Sequence, residues 1–146
     1  MVRLMKSFEA IPVLNQMLQI LGRSLAMYLA DAKPWDGARH PSLQMALDHL
    51  SADQRRYAER LAKVIGELGG RPDFGRFPIE FAGKNDLSLN YIVHEVADGQ
   101  EQDAARIQRC VAQLTGVPRL HALAEEIYGN ACGHLESLLE AMHPES

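Results

Sequence analysis

Four polar side chains interrupt stripes that are otherwise apolar: Gln54, Tyr57, Gln100 and His134. Their chemistry is mild. Two neutral amides can donate and accept, a phenol does both through one oxygen, and an imidazole can carry a proton or a metal ion. Two arrangements fit such a set. The four could line a small polar pocket that takes a ligand. Or they could satisfy one another, directly or through a buried water, as a layer that fixes the register of the helices carrying them. The second asks for nothing beyond the chain itself and is the preferred reading. A metal site elsewhere has thinner support. His49 and Asp53, one helical turn apart, would need His94 or Glu95 from another helix, and one such pair arises readily by chance.

The elements that position these residues follow from hydrophobic period. Pro12 suits a first helical turn, and Leu14, Met17, Leu18, Leu21, Leu25 and Tyr28 recur at three- and four-residue steps, predicting a helix over 12–32 ahead of Pro34. No Asp, Glu or His lies between Pro12 and Leu29. A second stripe (Leu43, Ala46, Leu50, Gln54, Tyr57, Leu61, Val64, Leu68) predicts a helix over 42–69, stopped by Gly69-Gly70 and Pro72. It is about 28 residues, or ~42 Å, long. Residues 71–85 carry Pro, Gly and three Phe without helical period. Extended, they reach about 50 Å. That is enough to run the length of the second helix and return the chain to the end where it began, with Phe74, Phe77 and Phe81 packing on the way. Asn85 or Asp86 would cap a third helix over 86–114, on whose stripe Gln100 lies. Thr115-Gly116 turns the chain, and a fourth helix over 118–142 presents Ala131 and His134 inward. Four stripes with two short turns and one long crossover predict an all-α bundle with its second and third helices parallel. Antiparallel pairing about the two short turns sets Leu21 opposite position 54 and Gln100 opposite 131–132, so Leu21, Gln54, Tyr57, Gln100, Ala131 and His134 share one level.

Leu14-Asn15 with Tyr28, then Tyr57-Ala58-Glu59-Arg60-Leu61, the Gly69-Gly70-Arg71-Pro72 ending and Gly133-His134-Leu135-Glu136 occur in an order that, with the crossover, resembles the ferritin-like superfamily of bacterioferritins and rubrerythrins over residues 12–142. The resemblance implies a di-metal centre held by a Glu from the first and third helices and Glu-x-x-His from the second and fourth. Carried onto this chain, those positions fall on Leu21, Gln54-x-x-Tyr57, Gln100 and Ala131-x-x-His134, leaving His134 as the one matching ligand. Two metal ions sharing a site need anionic carboxylates to bridge them; Leu and Ala give no donor and Gln a neutral, weak one. The expectation is a ferritin-like four-helix bundle with no cofactor and no catalytic residues, acting as a binding or structural module. Two alternatives stay open. One is an iron-handling protein using His134 with Glu101, Asp53 or His49; the other is a small-molecule sensor built on Gln54, Tyr57, Gln100 and His134.

Composition agrees with a single globular domain spanning 1–146: 47% apolar and 23% charged residues. A net charge of −4 gives no reason to expect nucleic acid or an anionic membrane as partner. Arg55, Arg56, Arg60 and Lys63 interleave with Asp53 and Glu59, the pattern of a solvated helix face. No stretch approaches the ~18 uncharged residues of a membrane span, and the N-terminus shows no secretory h-region. Cys110 and Cys132 are set too far apart to pair. A cytoplasmic location follows as the expectation. Tyr91, His94 and Leu87, with Phe74 and Phe77, add apolar surface outside the core stripe, and by family analogy the chain is expected to form a homodimer.

Overall fold

The computed structural model describes residues 5–143 and is all-helical, with no strand among the described residues. Five α-helices follow in order: α1 (Ile11–Gly22), α2 (Leu25–Asp31), α3 (Pro41–Glu67), α4 (Leu89–Gln113) and α5 (Pro118–Met142). Proline stands in the first turn of α1, α3 and α5, where its missing N–H would be unpaired in any case. The end of α3 is a Schellman turn: Gly69, with φ of 87°, donates to the Gly66 carbonyl and Gly70 to that of Ile65.

Two expectations need correcting. The first helix is not continuous over 12–32. It breaks at Gly22–Ser24, and Ser24 in extended conformation caps α2 by accepting from the Met27 N–H at 3.1 Å. The apolar stripe runs through the break unchanged, so hydrophobic period alone cannot reveal it. The third long helix starts at Leu89 rather than 86, and neither Asn85 nor Asp86 caps it. The buried carboxylate of Asp36, 53 residues earlier, accepts from the Leu89 N–H at 2.8 Å.

The longest helices pack in four close pairs: α1 with α3, α3 with α5, α5 with α4, and α4 with α1. The stretch between α3 and α4 is pinned beside α1 and α2 in chain order. Asn15 holds Arg71 and Asp73 by their backbones, Gln19 bonds the Asp73 carboxylate, and the Trp35 N–H donates to the Asn85 carbonyl. Midway, Tyr28 meets Phe77 edge-on at 5.5 Å and Phe81 at 5.9 Å. Phe81 packs on the core, whereas Phe74 and Phe77 stay largely exposed.

The buried apolar residues fall into two clusters. One holds Leu14, Leu18, Leu61, Ile107 and Ile127; the other holds Leu29, Leu47, Leu89, Ile92 and Leu138. Between Leu21 and Leu25, Leu50 and Tyr57, and Val96 and Ala104 the two clusters meet. The polar residues of the middle lie at that boundary.

Candidate functional site

Ser24, Gln54 and Gln100 are each at least nine-tenths buried, and they form one hydrogen-bonded line across the molecule. The Ser24 hydroxyl donates to Gln54 Oε1 at 2.6 Å, Gln54 Nε2 donates to Gln100 Oε1 at 3.4 Å, and Gln100 Nε2 donates to the Ala131 carbonyl at 3.1 Å. The direction is forced from one end. A backbone carbonyl only accepts, so Gln100 must turn its NH2 to Ala131 and its oxygen to Gln54; Gln54 then has its own oxygen left for the Ser24 hydroxyl. The line joins the cap of α2 to the backbone of α5 through α3 and α4. It is neutral throughout.

The other two candidates take separate partners at the α3–α5 seam. Tyr57, whose body is buried, donates to Glu126 at 2.7 Å, and Arg60 reaches the same carboxylate oxygen at 2.8 Å. Arg56 lies 4.6 Å over the Tyr57 ring and Arg60 5.6 Å from it, so the α3 arginines cover this tyrosine as well as meeting solvent. Burial first, then the bond to Glu126, raises the Tyr57 pKa above its usual value. Glu126 is held below the carboxylate norm by the Tyr57 bond and then by Arg60.

His134 Nε2 lies 2.7 Å from Asp53 Oδ2, which also accepts from Asn130 at 2.8 Å, while Arg56 meets the other oxygen at 3.3 Å. Burial alone would raise Asp53, but the bonds from Asn130 and His134, the His134 charge and Arg56 outweigh it and set its pKa below normal. Thus Gln54 and Gln100 are brought together, Tyr57 and His134 are not joined to them by a hydrogen bond, and Ser24 is a partner that hydrophobic period had hidden. A Ser one turn ahead of Tyr28, two residues after Gly22, was the available signal.

The remaining metal candidates do not converge. His49, His94 and Glu101 are exposed, and Glu95 is paired with Lys84 at 2.7 Å. Among the described residues, no group of three or more His, Cys, Asp or Glu is placed to hold a metal ion. Cys110 is buried and Cys132 half-buried, both as free thiols; burial pushes the Cys110 thiol up.

Where α1 breaks, the surface opens into a cleft of about 540 Å³ between the α1–α2 corner, α4 and residues 78–81. That volume suits a small metabolite. Ser24 and Gln100, two members of the polar line, form part of its wall, so the line borders the cleft at this point. Arg23, Asp103 and Arg106 supply charge, and Ile20, Val96 and Phe81 supply apolar wall. Asp103 bonds Arg106 at 3.0 Å with little solvent exposure, and burial, only partly opposed by Arg106 and Arg23, pushes its pKa up to about 6. Gly75, with φ of 71°, packs closely on the Arg23 side chain: a Cβ there would come within 2.5 Å of Arg23 Cδ.

No family model matches the chain, and no curated protein matches it.

Proposed function

We propose that the chain is a ferritin-like four-helix bundle, with one crossover between α3 and α4, that has exchanged a di-metal centre for a neutral hydrogen-bonded layer and serves as a non-catalytic binding or structural module. The observation that carries this is the line Ser24–Gln54–Gln100–Ala131. At the level where the likeness calls for bridging carboxylates, both glutamine side chains are spent on each other and on their neighbours. A neutral amide already donating and accepting within the protein is a poor ligand for a divalent ion. The bundle topology is supported by the four close helix pairs and by the pinning of residues 71–85 along α1 and α2. The likeness itself rests on the sequence cues, and with it come the proposals of a homodimer and a cytoplasmic location.

A second reading, a small-molecule sensor, is favoured by the cleft that reaches Ser24 and Gln100. The iron-handling alternative has one point in its favour, the Asp53–His134 contact, but Asn130 and Arg56 already occupy that carboxylate.

The test is anaerobic titration with ferrous iron followed by exposure to oxygen. The proposal expects less than about a tenth of an equivalent bound per chain and no oxidation faster than in buffer. About two irons per chain with oxygen-dependent absorbance, the behaviour of carboxylate-bridged centres, would overturn it.

A further inference from the structure

We propose that the cleft at the α1–α2 break binds a small organic carboxylate, whose anionic head takes the place of the Asp103 carboxylate on Arg106 and Arg23 and whose body lies against Ile20, Val96 and Phe81. This rests on the reading of the chain as a binding module and names the class of ligand.

The chemistry follows from what the cleft already contains. Arg106 now holds a carboxylate, that of Asp103, at 3.0 Å, and Arg23 adds its charge at the same place. A guanidinium fork that fits one carboxylate fits another. Exchange requires Asp103 to give up its negative charge, and its burial favours the neutral form. The remaining charges of the cleft set the ligand's charge. Glu80 and Glu95 also line it, Glu95 bonded to Lys84 and Glu80 acting on the same ammonium. Lys84 stands outside the lining and is spent on Glu95, so the lining charges left to face a ligand are Arg23 and Arg106 against Glu80, and one positive charge is unbalanced only when Asp103 carries its proton. That selects a monoanion over a phosphate dianion. The groups facing Asp103 are Arg106 and Arg23; Glu80 from the 78–81 segment and Glu95 from α4 share the cleft. Gln100 and Ser24, held in place by the polar line, also border the cleft.

Benzoate and 4-hydroxyphenylacetate, each beside its neutral amide, serve as probes in titrations of isotope-labelled full-length protein near pH 5.5 and pH 8. The signals followed are the Arg23 and Arg106 Nε–H and the Gln100 side-chain amide. The expected result is that acids shift these signals and amides do not, with affinity about tenfold or more tighter at the lower pH, as proton-linked binding through a group titrating near 6 requires. In Asp103→Asn the acids should bind at both pH values with the low-pH affinity, and in Arg106→Gln they should not bind. The proposal is overturned if the amides bind as well as the acids, if the pH dependence survives in Asp103→Asn, or if neither acid binds. Its failure is separable from that of the parent reading. Iron uptake at the centre with acid binding intact removes only the metal-free reading. A centre that takes no iron beside a cleft that takes no acid removes only this one.

Discussion

At the scale of residues, the centre of this protein is decided by what an amide can and cannot do. Gln54 and Gln100 are buried and hydrogen-bonded in a fixed direction, and burying one without the other leaves an orphan. Gln100→Leu should therefore cost about 1–3 kcal/mol in denaturant unfolding, because Gln54 Nε2 loses its acceptor. Gln54→Leu added to it should cost clearly less than the sum of the two single changes, a coupling of roughly 0.5–3 kcal/mol. Strict additivity would mean that the 3.4 Å contact contributes nothing. Two carboxylates should give opposite pH signatures. Asp103, raised from 3.8 to about 6, binds its proton more tightly when folded, so its contribution is fully present at low pH and is lost as pH rises through that interval. Asp103→Asn is then expected to stabilise the protein by about 1–3 kcal/mol near pH 8 and to do little in acid, read from thermal melts across pH. Asp53 is lowered, so its contribution is present above its unfolded pKa and disappears as pH falls through the lower folded value; in Asp53→Asn that acid-side loss should be absent.

At the scale of elements, the sequence was most legible where signals were local and redundant. The helices 41–67, 89–113 and 118–142 end within three residues of their expected bounds, because prolines, glycines and period agree there. The break in the first helix was not legible in the hydrophobic period, since Leu21, Leu25 and Tyr28 keep their spacing across it; the cause is Ser24, whose hydroxyl serves both the cap and the polar line. Nor was the α4 cap, supplied from Asp36 across the fold. Tyr57 and His134 were read as inward because the stripe includes them, yet both reach partners on the neighbouring helix at the seam, a choice that depends on Glu126 and Asp53 rather than on period. Ser24→Ala removes the α2 cap and the donor to Gln54 together, so it should cost at least the ~1 kcal/mol of a lost cap. Amide exchange should accelerate across Leu25–Asp31 well before the rest of the molecule opens. Unchanged protection there would contradict the dual role.

At the scale of the whole molecule, two apolar clusters meet at a polar seam, and the seam makes their relative register specific. A fully satisfied buried polar network specifies one arrangement of the core around it, and the Ser24–Gln54–Gln100–Ala131 line is such a network. The long stretch 68–88 adds to this by tying its own backbone to Asn15 and its far end to Trp35. In the proposed reading this middle is a closed hydrogen-bonded layer that stands in place of a metal centre. Its most direct measurement is anomalous diffraction at the iron edge from crystals grown in ferrous iron without oxygen. The expected result is continuous density along Ser24, Gln54, Gln100 and the Ala131 carbonyl and no anomalous peak beside them. A pair of peaks about 3.5–4 Å apart, the spacing of a two-metal site, with Gln54 and Gln100 turned toward them, would contradict it.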